Sequence, residues 1–219
     1  MEIAIRERLL KLSTTNISDA LDALGLKGTT CGIVPIHAGC QKIAGEAVTL
    51  RLIPKGLSSP GTHLGIHAIE SASPGDIIVV DNAGRTDLSC WGGILATGAS
   101  MKGISGVVID GACRDVDDYI ELGFSVYARG PVVATARNRV VEESTNIPIS
   151  FGGVQVCPGD VILADHSGVA VIPSSRFEEV LPLAEALFQK EEAMCADLKA
   201  GMSSLEVDRK YHYEAMLNS

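Results

Sequence analysis

Gly106-Val107-Val108-Ile109-Asp110-Gly111-Ala112-Cys113-Arg114-Asp115 is the stretch on which both fold and chemistry turn. A short apolar run stops at a glycine, and an Arg-Asp pair follows at once. The run reads as a buried strand, and Val116 to Leu122 reads as the start of a helix. Ligands of open α/β sheets gather at the carboxyl ends of strands, where such turns lie. Arginine there can fork onto a carboxylate, and aspartate can hold a hard metal ion. The pair therefore points to a small oxyanion beside a cation. A plainer alternative stands next to it. Asp115 can be the N-cap of the following helix, with Asp117 and Asp118 complementing its dipole, and Arg114 can pair with a surface carboxylate.

Outward from this turn, strands with Gly-rich ends alternate with helices. On the N-terminal side, Ser13 to Leu24 predicts a helix with Ile17, Ala20, Leu21 and Leu24 on one face and Gly25 as its stop. Gly45 to Ile53 alternates like a strand. Gly61 to Ala72 has a helical pattern. Pro74-Gly75-Asp76 turns into a buried strand, Ile77 to Asp81, expected to end at Asn82-Ala83-Gly84. Ser89 to Met101 predicts a Gly- and Ala-rich helix, and its Trp91-Gly92-Gly93-Ile94-Leu95 opening can expose backbone N–H groups to an anion. On the C-terminal side, strands cluster between residues 126 and 173. Pro158-Gly159-Asp160 and the strand after it echo residues 74 to 84, as repeated turn chemistry rather than duplication. Arg176 to Ala200 predicts a long helix, and Gly201 to Ser219 is a polar tail. No linker divides the chain, so one α/β domain of mixed sheets with a terminal helix is expected.

Composition narrows the function. The chain has 219 residues, 46% of them hydrophobic and 4% aromatic, so aliphatic side chains fill the core. A net charge of -9 and a pI near 5.0 argue against a nucleic-acid groove. The start of the chain lacks a signal-peptide core, and no apolar run is long enough to span a bilayer. The six cysteines (Cys31, Cys40, Cys90, Cys113, Cys157 and Cys195) form no C-x-x-C pair, which fits a reduced, cytoplasmic setting. Cys113 reads as a buried filler rather than a nucleophile, with no histidine near it in sequence. His37, His63, His67, His166 and His212 show no H-E-x-x-H pattern. Lys102 reads as a helix-end lysine, not a Schiff base. No G-x-G-x-x-G or Walker sequence is present.

Several segments, in this order and spacing, resemble the RraA-like family, which includes the 4-hydroxy-4-methyl-2-oxoglutarate / 4-carboxy-4-hydroxy-2-oxoadipate aldolases. They are Ser18-Asp19-Ala20-Leu21, Pro74-Gly75-Asp76, Trp91 to Thr97, Gly106 to Asp115, Val126 to Gly130, Gly159-Asp160, Ala164-Asp165 and Gly168-Val169. The resemblance covers most of the chain. It implies an α-β-β-α sandwich of the swivelling β/β/α type, a single domain over residues 1–219 with residues 176–219 as a C-terminal helix and tail. It also implies a homotrimer or dimer of trimers with sites between subunits.

For chemistry, the resemblance implies a class II pyruvate aldolase dependent on Mg²⁺ or Mn²⁺, with oxaloacetate decarboxylation as a side activity. Arg114 would grip the carboxylate of pyruvate, and Asp115 would be the one direct protein ligand of the metal. Gly92, Gly93, Ile94 and Leu95 would bind the substrate, the N–H groups of Ile94 and Leu95 meeting pyruvate oxygens. Glu191 or Glu192 of a neighbouring subunit would reach the metal through water. One departure stands out. Family aldolases carry an acidic residue twenty-one positions before the arginine, and that position is Gly93 here. Asp87, the nearest upstream acid, is a weak substitute. Two other readings remain: a non-catalytic regulator that binds a ribonuclease, and an enzyme on a related acidic substrate.

Overall fold

The computed structural model describes residues 1–56 and 63–212. In chain order the elements are α1 (Ile3–Lys11), α2 (Thr14–Ala23), β1 (Val34–Pro35), β2 (Ile43–Pro54), α3 (Ile66–Ser71), β3 (Ile77–Ser89), α4 (Gly93–Met101), β4 (Gly106–Cys113), α5 (Val116–Leu122), β5 (Ser125–Ala128) and β6 (Gly130–Pro131). They continue with β7 (Val140–Thr145), β8 (Ile149–Phe151), β9 (Val154–Val156), β10 (Val161–Asp165), β11 (Gly168–Ile172), α6 (Phe177–Lys199) and α7 (Ser204–Tyr211).

The layers follow from side-chain alternation along the buried strands. On β3, Ile78 and Val80 face one core while Ile77 and Val79 face another; on β4, Val107 and Ile109 oppose Val108. The first core is closed by Ala68 and Ile69 of α3, Leu95, Ala96 and Ala99 of α4, and Tyr119 of α5. The second lies between the parallel strands and Phe151, Val156, Ile162, Ala164, Val169 and Val171. The outer faces of β10 and β11, with Leu163, Ala170 and Ile172, meet Leu9 of α1, Ile17 and Leu21 of α2, and Val180 and Leu181 of α6. The result is helix, sheet, sheet, helix. All eight residues of β4 are buried, as a strand sandwiched on both faces requires.

One sheet runs β1-β5-β4-β3-β2-β10-β11, with β6 added to β4 and β7 to β2. Its centre is parallel, from β2 to β5. β10 joins β2 antiparallel and hairpins into β11. The ends β1 and β11 come into contact, so the sheet curls back on itself. The short hairpin β8-β9 is a second sheet.

The helix from Ser13 forms as its sequence dictates. Ser13 Oγ accepts the Asn16 N–H at 3.1 Å, Asn16 Oδ1 accepts the Ser13 N–H at 3.0 Å, and Gly25 ends the run at φ 65°. The two Pro-Gly-Asp turns are chemically alike. Asp76 Oδ2 accepts the Ser73 N–H at 2.8 Å and Asp160 Oδ2 accepts the Cys157 N–H at 2.7 Å, with Gly75 and Gly159 at φ 95° and 83°. The strands that follow differ, since β3 is parallel to its neighbours and β10 antiparallel. The echo is turn chemistry.

Three expectations need correction. The strand from Ile77 does not end at Asn82. It passes through left-handed Ala83 and Gly84 and rejoins β4, with pairing jumping from Asp81↔Asp110 to Arg85↔Gly111. The next helix starts at Gly93 rather than Ser89, because Ser89 is still paired with Ala112. The polar tail contains α7, capped by Ser203 and Glu206, with Val207 buried and Lys210 bonded to Asp197 of α6. Residues 61–62 of the expected Gly61–Ala72 helix and 213–219 of the tail lie outside the described residues. Within the former, the helix spans Ile66–Ser71. Among the described residues, no helix is long and apolar enough to cross a membrane.

Candidate functional site

The site assembles where β4 ends beside the start of α4. The Cys90 N–H donates to the Ala112 carbonyl at 3.0 Å and the Arg114 N–H to the Trp91 carbonyl at 3.0 Å. Two segments 22 residues apart at Cys90 and Ala112 are thereby held together. The Trp91 carbonyl also accepts Ser89 Oγ at 2.9 Å and the buried Tyr119 hydroxyl at 3.1 Å, which pins α5 to the same point.

Asp115 is not a side-chain cap. Its backbone is left-handed, φ 59° and ψ 47°, and its side chain makes no capping bond to α5. Oδ2 instead reaches across to accept the Gly93 N–H at 3.0 Å, with Arg114 Nε 3.4 Å from the same oxygen. A non-glycine residue in this conformation is strained, and such strain clusters at functional sites. Both side chains are partly exposed.

The glycine pair leaves room for the side chains that crowd against it. A Cβ on Gly92 would lie 2.6 Å from Asp115 Oδ2 and 3.3 Å from Arg114 Nε. A Cβ on Gly93 would overlap the carboxylate of Asp118. Two carboxylates, Asp115 just before α5 and Asp118 in its first turn, thus lean over the first turn of α4. The Gly93 N–H is taken by Asp115, and the Ile94 and Leu95 N–H groups have no partner among the described residues. These free donors sit at the positive end of the helix dipole. The site therefore offers a guanidinium, two helix-end N–H groups and two carboxylates within one turn.

A hard divalent cation suits part of this set. Asp115 presents oxygen donors, Oδ1 has no hydrogen-bond partner among the described residues, and the side chain is open to solvent. No group of three His, Cys, Asp or Glu side chains able to hold a metal occurs among the described residues. An ion held there would keep most of its coordination for water and substrate, which is the habit of Mg²⁺.

The remaining sequence candidates separate. Gly92, Gly93, Ile94, Leu95, Arg114 and Asp115 come together. Glu191 and Glu192 do not join them within this chain. Glu191 lies on α6 against α2, where Asn16 Nδ2 donates to its Oε2 at 2.7 Å. Burial, then the charges of Glu191 and Asp22, pushes the Asp19 carboxyl above its ordinary value. Cys113 is a core residue whose thiol burial pushes up to about 12, so it is no nucleophile at neutral pH. His67 pairs with Glu142 at 3.0 Å, and Lys102 donates to the Glu70 carbonyl. Asp87 is exposed on β3 and takes no part. Asp110 is occupied structurally, accepting from Arg129 Nε at 2.5 Å and from the Gly152 N–H at 2.8 Å. Asp118 is the residue that sequence reading passed over, as one of two acids complementing a helix dipole. Its spacing of three from Asp115 was the available signal.

Comparison with known proteins places the chain. The chain is 36% identical over 193 residues to a Halalkalibacterium halodurans protein named "Putative 4-hydroxy-4-methyl-2-oxoglutarate aldolase", covering 88% of this chain and 87% of that one. It is 33% identical over 208 residues to Protein DlpA of Legionella pneumophila. That match covers 95% of this chain, which spans only 34% of DlpA's length. The crystal structure of Streptomyces coelicolor RraAS2, described as an unusual member of the RNase ES inhibitor RraA protein family, superposes with a TM-score of 0.79 at 27% identity. The superposition covers 88% of this chain and 96% of that one. The Aldolase/RraA profile of the RraA-like family matches residues 14–171, and the chain belongs to that family.

Proposed function

We propose that this protein is a divalent-metal-dependent lyase that cleaves a 4-hydroxy-2-oxo acid, of the 4-hydroxy-4-methyl-2-oxoglutarate type, into pyruvate and a second 2-oxo acid. The observation that carries the reading is the convergence of Arg114, Asp115 and the unpartnered N–H groups of Ile94 and Leu95. Naming of a family relative as an aldolase supports it.

The chain's own groups define the steps. Arg114 forks onto the substrate carboxylate and fixes the direction of the C3–C4 bond. The Ile94 and Leu95 N–H groups donate to the same end of the substrate, where negative charge collects. Asp115 would hold Mg²⁺ or Mn²⁺, which when bound supplies a Lewis acid for the charge developing on the keto oxygen. In the cleavage the C4 hydroxyl loses its proton and its C–O bond becomes a carbonyl. The C3–C4 pair moves into the pyruvate enolate, and a proton then adds at C3. Decarboxylation of oxaloacetate leaves the same enolate and is the expected side activity.

The assembly is part of the proposal. Ile94 and Met101 are 89% and 83% exposed, and Thr97 and Gly98 between them are exposed too, so one apolar stripe of α4 faces solvent beside the site. A homotrimer or dimer of trimers would cover it, bringing Glu191 or Glu192 of the partner subunit towards Asp115. A second reading, a regulator that binds a ribonuclease, draws on the likeness to RraAS2. Binding of that kind does not call on a strained carboxylate over a helix end.

The test is direct. Purified protein with Mg²⁺ should release pyruvate from 4-hydroxy-4-methyl-2-oxoglutarate or oxaloacetate, and EDTA should stop the release. Folded, metal-supplied protein that yields no pyruvate from either compound would overturn the lyase reading.

A further inference from the structure

The start of α3 is clasped from β7. Glu142 lies on β7 with its side chain 11% exposed, and both of its oxygens are engaged. Oε2 accepts the N–H of Gly65, the N-cap of α3, at 2.9 Å. Oε1 accepts the Thr145 hydroxyl at 2.8 Å and faces His67 Nδ1, in the first turn of the same helix, at 3.0 Å. What the clasp holds in place is a backbone wedge. Gly65 sits at φ 83°, and a Cβ there would lie 3.1 Å from Trp91 Cζ3 and 3.4 Å from Leu95 Cδ1. The bare backbone of Gly65 therefore packs directly on Trp91 and Leu95, both of them buried. Trp91 carries the carbonyl that receives the Arg114 N–H. Leu95 carries one of the two N–H groups of the site left without a partner among the described residues.

We propose that Glu142 is a positioning residue of the site, acting through Gly65 on Trp91 and Leu95 to fix the first turn of α4. This deepens the lyase reading and rests on it. The Ile94 and Leu95 N–H groups serve an oxyanion best when they are aimed before it arrives. That end of α4 is held loosely by its own sequence. Its N-cap is Gly92, with no capping side chain, and Gly93 follows. A glycine pair leaves the backbone free to tilt, so the aim is imposed by packing from outside. Tyr119 holds Trp91 from the α5 side, through the main-chain carbonyl. Gly65 presses from the α3 side, and Glu142 keeps it there. α3 is six residues long, too short to hold its place by its own hydrogen bonds. Removing the carboxylate leaves the N–H of the buried Gly65 unpaired beside the indole.

Trp91 is the single tryptophan of the chain, so its fluorescence reports the wedge independently of activity. On the full chain, Glu142→Ala should shift Trp91 emission to longer wavelength and open the indole to acrylamide quenching. Oxalate, a mimic of the enolate, should bind in the presence of Mn²⁺ roughly tenfold more weakly. In cleavage of 4-hydroxy-4-methyl-2-oxoglutarate, kcat should fall about tenfold or more, and by a larger factor than KM rises, because the donors meet charge that builds up during the reaction. Glu142→Gln keeps an oxygen for the Gly65 N–H and should recover most of each loss. Gly65→Ala disturbs the wedge from its other side with the clasp intact. It should shift Trp91 emission and weaken oxalate binding in the same direction. If Glu142→Ala does not fold, Gly65→Ala and Glu142→Gln decide by the same readings. Folded variants with lowered Tm but unchanged Trp91 emission, oxalate affinity and kcat would overturn the inference and leave the lyase reading intact. An unaltered protein that neither binds oxalate nor releases pyruvate would overturn the lyase reading and the positioning role together, while Trp91 emission would still report the contact between α3 and α4.

Discussion

At Asp115 the backbone sits at φ 59° and ψ 47°, a conformation that costs an L residue about 1 kcal/mol and costs glycine almost nothing. Asp115→Gly and Asp115→Ala both remove the carboxylate and its bond to the Gly93 N–H. They should differ in stability alone, the glycine variant being more stable by about 1 kcal/mol in urea unfolding. Both should lose the response of activity to Mg²⁺. Equal stabilities would show that the left-handed backbone is not where the strain resides. Arg114 carries a separable role. Arg114→Ala should weaken oxalate binding roughly 10- to 100-fold, the loss of a charged hydrogen-bonded contact, and Arg114→Lys should restore only part because an ammonium cannot fork. Calorimetry with oxalate and Mn²⁺ reads this directly. These residues were legible in sequence because the Arg-Asp pair follows a strand run and a glycine stop. What sequence left open was whether Asp115 caps a helix or faces a ligand. The left-handed backbone answers the first half, since an N-cap needs an extended one.

Elements set how rigidly the site is held. The helix after the Arg-Asp pair was legible to the residue, while β4 runs past the glycine stop to Cys113; α2 was legible from its apolar face and Gly25, and α6 from a long run of helix-favouring residues. The continuation of β3 beyond Asn82 was not, since a bulge with Ala83 and Gly84 left-handed looks in sequence like a terminating turn. Nor was the placement of Asp118, which depends on the distance between two helices rather than on any local pattern. Tyr119 is the joint between those helices. Tyr119→Phe should cost about 1 kcal/mol, the net worth of the hydroxyl bond to the Trp91 carbonyl, with a larger effect on kcat than on oxalate affinity if α5 loosens. A second joint lies on the opposite face of the sheet. Asp110 ties Arg129 and the Gly152 turn to β4, so Asp110→Ala should cost about 3 kcal/mol while leaving oxalate affinity unchanged in the protein that folds. α2 is fastened in a way that depends on pH. Burial disfavours the Asp165 anion, but Thr14 N–H and hydroxyl, the Ser167 N–H and Lys42 outweigh it and hold its carboxyl below the ordinary value. A depressed carboxyl gives stability that is complete above its unfolded pKa of about 3.9 and fades as pH falls through the folded one. Acid unfolding followed by circular dichroism should therefore be shallower below about pH 4 in Asp165→Asn than in the unaltered protein.

At the scale of the molecule, the four layers account for burial along the β3, β4, β10 and β11 strands but leave one face unexplained. Ile94 and Met101, seven residues apart on α4, and Ile120 on α5 all face solvent, with Ile94 at the end of α4 that meets Asp115. Scattered apolar side chains need no explanation, but a helical stripe beside a candidate active site does. On the far side, α2 and α6 carry Asp19 and Glu191 close enough for one charge to raise the other's carboxyl. In the proposed assembly, that acidic edge on one subunit and the acidic turn after β4 on the next would share a cation, whereas without one they would repel. That argument makes the assembly testable in two steps. Ile94→Glu with Met101→Glu should shift the protein to a smaller species in light scattering after gel filtration, with circular dichroism unchanged. Then subunit mixing locates the second carboxylate. Asp115→Ala alone and Glu191→Ala with Glu192→Ala alone should each be nearly inactive, for different reasons. If each site draws Arg114 and Asp115 from one subunit and Glu191 or Glu192 from its neighbour, exchanging the two inactive proteins creates some sites with a full set, and pyruvate release should return to a fraction of the native rate. If all ligands come from one chain, every site in the mixture lacks a residue and no activity returns. The separation of α6 from the β4–α5 turn within one chain favours recovery.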